Sequence, residues 1–136
     1  MSKKHGKHSE RHENLNYFGK ELVRRCAAHC ELCASAGVSL SIFEVSPVPK
    51  EPDIAHCLMI CEACESALAK PKKMDANHWR CLSTTMWSEV EAAKVTAIVV
   101  LNYLAKQHAW AQEYLEQAYL EDEQQAWVDA WQLDAK

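Results

Sequence analysis

Two cysteine couples carry the most specific chemistry in this chain, Cys30-Glu-Leu-Cys33 and Cys61-Glu-Ala-Cys64, with 27 residues between them. A Cys-x-x-Cys turn presents two thiolates to one side of a tetrahedral ion, and a second couple completes the four-ligand set of structural zinc. A closed four-sulfur shell leaves no vertex for water or substrate. Cys30, Cys33, Cys61 and Cys64 therefore predict a structural Zn2+ site that nucleates the fold, not one that carries out a reaction. Iron–sulfur ligation by four cysteines uses the same residues, and spacing alone leaves it open. Ala34 and Glu65 follow the couples where such knuckles often carry glycine.

Other thiols and imidazoles crowd the same region. Cys26 and Cys57 each precede a couple by four residues, and His29 and His56 stand beside them. Any of these could replace a sulfur. A buried thiol, or an imidazole outside the ligand shell, is the simpler expectation. His78, Arg80 and Cys81 form a third group, in which a nearby cation could lower a thiol pKa and make a nucleophile. The competing expectation is packing, with Trp79, Leu82, Met86 and Trp87 sealing a helical part against the cysteine part. Packing is favoured, so no catalytic residue is assigned.

The elements that must position these groups follow from periodicity. Residues 1–13 are basic, rich in histidine and without apolar periodicity, and read as a disordered tail. Asn14 or Asn16 is a candidate cap for a helix in which Leu15, Phe18, Leu22, Val23 and Cys26 recur at helical spacing. Leu40-Ser-Ile-Phe-Glu-Val45 alternates and reads as a strand. Ser46 to Asp53 holds three prolines in eight residues and reads as a loop. Cys57-Leu-Met-Ile60 is a second strand, and Glu62–Ala69 a short helix stopped by Lys70-Pro71. Ser88-Glu-Val-Glu91 matches a capping box, ahead of a helical stripe of Val90, Ala93, Ala97, Val100, Leu101 and Leu104. Two further helical stretches hold Trp110, Tyr114, Leu115 and Ala118, then Trp127, Val128 and Trp131. The fold class is α+β: a small zinc-ribbon or treble-clef-like hairpin, flanked by an N-terminal helix and a C-terminal helical module. The expected organisation is a tail at 1–13, helix plus ribbon at 14–82, and helices at 83–136.

Bulk properties narrow the function. A chain of 136 residues can bury roughly two thirds of its unfolded surface. The ribbon alone is too small for a core, so metal must supply folding energy on the order of 10 kcal/mol. Seven cysteines, an odd number, with no signal-like apolar start, suit a reducing cytoplasm. The longest apolar run, Ala97–Leu101, is too short to span a bilayer. Residues 1–25 hold seven Lys or Arg against three acids, whereas Glu113–Asp134 holds seven acids and no Lys or Arg. That acidic end weighs against a nucleic-acid partner, which ranks behind a protein partner or second copy docking on the C-terminal aromatic helices.

The chain resembles the PhnA family, small bacterial proteins named for an alkylphosphonate-utilisation operon. The resemblance rests on Cys30-Glu-Leu-Cys33, Phe43-Glu-Val45, His56-Cys57 through Cys61-x-x-Cys64, Asn77-His-Trp-Arg-Cys-Leu82 and Met86-Trp-Ser-Glu-Val90, and covers roughly residues 20–130. It implies an N-terminal zinc ribbon. Many members end in a small SH3-like domain, which is expected to be absent here, either naturally or because the chain has been cut. The family name is linked to phosphonoacetate hydrolysis, which makes phosphonate cleavage the third-ranked function; the resemblance implies zinc and does not imply a reaction. The order knuckle, strand, loop, strand, knuckle also looks like zinc-bearing HNH endonucleases. The paired histidines and general base those enzymes need are replaced here by Phe43-Glu-Val45 and Glu65. The reading reached from sequence is a PhnA-like, non-enzymatic interaction or accessory protein with a structural zinc.

Overall fold

The computed structural model describes residues 15–133, so the expected tail at 1–13 and the Asn14 cap lie outside the described residues. Within them the architecture is α+β, a two-stranded antiparallel hairpin with six α-helices. Helix α1 spans Gly19–Cys26 and starts from Phe18, not from an asparagine cap; the Leu22 N–H reaches the Phe18 carbonyl at 2.9 Å. Its apolar face buries Leu22, and it stops at Ala27 and Ala28, which hold left-handed φ angles of 53° and 62°.

Strands β1 (Leu40–Glu44) and β2 (Cys57–Cys61) pair from Leu40 opposite Cys61 to Glu44 opposite Cys57. Every residue of β2 is buried. Leu58 and Ile60 join the main core, while Cys57 and Met59 turn to the other face, where Leu22 of α1 covers them. Burial on both faces explains why β2 reads as an unbroken apolar run. Helix α2 (Glu62–Ala69) continues directly from β2. A 3-10 segment, Ala76–Cys81, and a short helix α3 (Leu82–Thr85) follow, with Trp79, Leu82 and Met86 buried but Trp87 51% exposed. Three members of the expected seal are therefore in place and the fourth is on the surface.

The C-terminal half is built around α4 (Glu91–Leu104), with α5 (Ala109–Gln117) and α6 (Asp122–Ala130) packed on it. The sequence stripe understates α4, which also buries Ala92, Val95, Thr96, Ile98 and Val99. A helix apolar almost all round is an internal helix. Its one buried hydroxyl, on Thr96, donates to the Ala92 carbonyl at 2.8 Å. The expected capping box at Ser88–Glu91 does not form. Ser88 Oγ accepts from Val90 N–H at 3.0 Å in a turn before the helix, and Val90 occupies the cap. A capping box does form on α6, between Glu121 and Gln124.

One core runs from Cys30 to Val128, so hairpin and helices share it. Helix α6 closes over the hairpin loop: Trp127 Nε1 donates to the Ser46 carbonyl at 2.8 Å, and its ring lies 4.4 Å from that of His56. Trp131 lies 6.3 Å from Phe43. No described helix is long and apolar enough to cross a membrane.

Candidate metal centre

The four cysteines of the two couples converge. Cys30 and Cys33 sit on the bend after α1, Cys61 at the end of β2 and Cys64 in the first turn of α2, and their sulfurs all lie within 4.8 Å of one another. Cys30 Sγ and Cys64 Sγ are 3.7 Å apart, and Cys33 Sγ and Cys61 Sγ 3.6 Å. Among the described residues, no other group of three or more Cys, His, Asp or Glu side chains converges in this way.

The bend that presents the first couple is held by backbone. Ala34 N–H donates to the Cys30 carbonyl at 2.8 Å, and Ala34 adopts a left-handed φ of 66°. This is the conformation for which glycine is ordinarily chosen. Glu31, between the ligands, ties the couple to β2: its N–H donates to the Met59 carbonyl at 2.9 Å, and its Oε1 accepts from Met59 N–H at 2.9 Å. Arg25 then grips the same carboxylate with Nε at 2.8 Å and Nη2 at 2.7 Å, and reaches the Cys57 carbonyl at 2.9 Å. The hydrogen bonds that Arg25 donates to Glu31 raise its pKa against the opposing effect of burial. Thr85 of α3 ties the bend to the helical half through a 2.6 Å bond to the Leu32 carbonyl.

Four thiolates around one divalent cation carry a net charge of −2, which burial tolerates only if donors surround the sulfurs. Such donors are present. The N–H groups of Leu32, Cys33 and Cys61 each lie 3.4 Å from Cys30 Sγ. Ser35 Oγ lies 3.1 Å from Cys33 Sγ, and His78 Nε2 lies 3.2 Å from Cys64 Sγ. The donor set therefore fits a metal ion. The hydrogen bond with Cys64, helped by those three N–H groups against the opposing effect of burial, holds the Cys30 thiol below its ordinary range. The same contact, together with burial, pushes the Cys64 thiol up. Burial also raises Cys61.

The remaining candidates are engaged elsewhere. Cys26 Sγ lies 3.6 Å from the Val23 carbonyl, and Cys57 Sγ 3.4 Å from the Asp53 carbonyl. His29 Nδ1 lies 2.7 Å from the Ala27 carbonyl, and His56 Nδ1 3.3 Å from the Val45 carbonyl. Cys81 donates to the His78 carbonyl at 3.3 Å; burial, then the Cys33 and Cys30 thiolates, raise its pKa to about 11. Arg80 lies over the Trp110 ring at 4.5 Å. Within this group the imidazole thus turns to Cys64, burial holds the thiol pKa up and the guanidinium stacks on indole. The role of His78 beside Cys64 was not visible in sequence, because its nearest thiol along the chain is Cys81. Comparison with family models, with curated proteins and with solved structures found no match to this chain.

Proposed function

We propose that the protein is a zinc-stapled, PhnA-like interaction or accessory module of the cytoplasm with no reaction of its own. The observation that carries the zinc reading is the sulfur spacing. A tetrahedral ion with Zn–S bonds of about 2.3 Å has ligand edges of about 3.8 Å, against the 3.6 and 3.7 Å found between two sulfur pairs. Sulfurs this close favour one ion over a polynuclear iron–sulfur cluster, whose own diameter holds its cysteines further apart. Seven free thiols suit a reducing compartment. The four-sulfur shell favours a structural metal over a catalytic one, and the metal would join the bend after α1, the end of β2 and the start of α2.

Metal analysis of the purified protein should return one zinc per chain, and Cys61→Ser should lose it together with the hairpin fold. Stoichiometric zinc in Cys61→Ser would reject this ligand set. Phosphate release from phosphonoacetate, abolished by Cys81→Ala, would overturn the non-enzyme reading. Nucleic-acid binding is the second reading, favoured by the exposed Lys70, Lys72 and Lys73 on the turn after α2. Absence of salt-dependent retention on DNA or RNA at low ionic strength would remove it.

A further inference from the structure

We infer that His78 is a replacement ligand: when Cys64 is lost to the metal, the His78 imidazole takes its vertex. The centre then has a four-sulfur state and a three-sulfur, one-nitrogen state. This rests on the metal reading above and extends it to a residue outside the four cysteines.

His78 Nε2 is 3.2 Å from Cys64 Sγ, so the nitrogen already stands against the position a fourth ligand occupies. The other histidines near the couples in sequence, His29 and His56, turn to the carbonyls of Ala27 and Val45. The segment that carries His78 is anchored on both sides. Asp75 Oδ1 accepts from Asn77 N–H at 3.0 Å, the adjoining Trp79 is fully buried, and Cys81 holds the His78 carbonyl at 3.3 Å. The Trp79 ring meets the imidazole edge-on at 4.8 Å. Backbone position is therefore set, and the ring needs only side-chain rotation, which moves Nε2 by distances of this order. Imidazole and thiolate both suit zinc-class cations, and three cysteines with one histidine is an ordinary structural set. Cys64 is the ligand whose loss the site can absorb. Cys30 receives three backbone N–H groups, and Cys33 and Cys61 face each other, with no imidazole among the described residues hydrogen-bonded to either.

Cobalt(II) titration of the full chain tests this, using the wild type, His78→Phe, Cys61→Ser, Cys64→Ser and Cys64→Ser/His78→Phe. Wild type should bind one cobalt with a four-sulfur tetrahedral spectrum, and His78→Phe should give the same spectrum at lower affinity, because it loses the contact to Cys64. Failure of the wild type to bind would instead sink the metal reading itself. Cys64→Ser should bind one cobalt with weaker sulfur charge-transfer bands and d–d bands shifted to higher energy. Its affinity should exceed those of Cys61→Ser and of the double variant by at least tenfold. If Cys64→Ser binds no better than either, including the case in which none binds, the replacement is refuted. Loss of cobalt by His78→Phe alone would also refute it, since His78 would then be needed in the four-sulfur state.

Discussion

The Arg25–Glu31 clamp gives the sharpest energetic test of how the first couple is held. The Glu31 side chain is 5% exposed and Arg25 28%. The carboxylate serves three donors, Met59 N–H at 2.9 Å and Arg25 Nε and Nη2 at 2.8 and 2.7 Å. In Glu31→Ala the Met59 N–H loses its acceptor in a buried strand, which costs about 1–3 kcal/mol. Arg25 keeps the Cys57 carbonyl and can turn to water. Its share therefore falls below the roughly 3–5 kcal/mol of a fully buried broken pair. Together the expected loss is about 3 kcal/mol. Arg25→Ala leaves the carboxylate with its backbone donor and removes the Arg25 bond to Cys57, for about 2 kcal/mol. Because both substitutions break the same contact, the double variant should cost less than the sum by about 1–2 kcal/mol. Urea unfolding at a buffered free zinc concentration measures this, since bound metal enters the equilibrium by mass action. Glu31 lies inside the ligand couple, so a loss of about 3 kcal/mol should also weaken zinc binding by about 100-fold. Additive costs within about 0.5 kcal/mol, or unchanged zinc affinity in Glu31→Ala, would refute the clamp.

Two further outcomes are expected. Ala34→Gly should stabilise the holoprotein by about 1 kcal/mol, because Ala34 holds a φ of 66° that a Cβ disfavours; destabilisation in urea would count against this. Trp127→Phe removes the bond to the Ser46 carbonyl and should cost about 1 kcal/mol, read as a lower urea midpoint with an unchanged slope.

The four converging sulfurs were legible because Cys-x-x-Cys spacing fixes what a single turn can present, β1 because its residues alternate, and β2 because its apolar residues run unbroken between turn signals. Helix Glu62–Ala69 matched for the same reason, with proline marking its end. What the sequence could not show were partnerships between distant residues. Ser88 looked like a helix cap, yet its hydroxyl satisfies Val90 two residues on and the helix starts later. Glu121 and Gln124 form a box that the usual serine or threonine signature does not flag. Helix α4 looked one-sided because alanine and threonine blur an apolar stripe, and it is internal because α5, α6 and β2 all pack on it. His78 pairs with a cysteine fourteen positions away, and no local periodicity encodes that.

The bond from Trp127 to Ser46 spans 81 positions of chain, whereas all four sulfur ligands fall between positions 30 and 64. Synthesis proceeds from the N-terminus, so the thiolate cage leaves the ribosome well before the helix that closes over its loop. The ligand set is thus complete before final closure is possible, and on the zinc reading the nascent ribbon can take its ion while the apolar face for α4 is still bare. Metal supply during translation, more than supply afterwards, should then set the yield of folded chain. Adding a chelator to a cell-free translation at its start should lower the folded yield more than adding the same chelator after termination, and equal yields would count against this order.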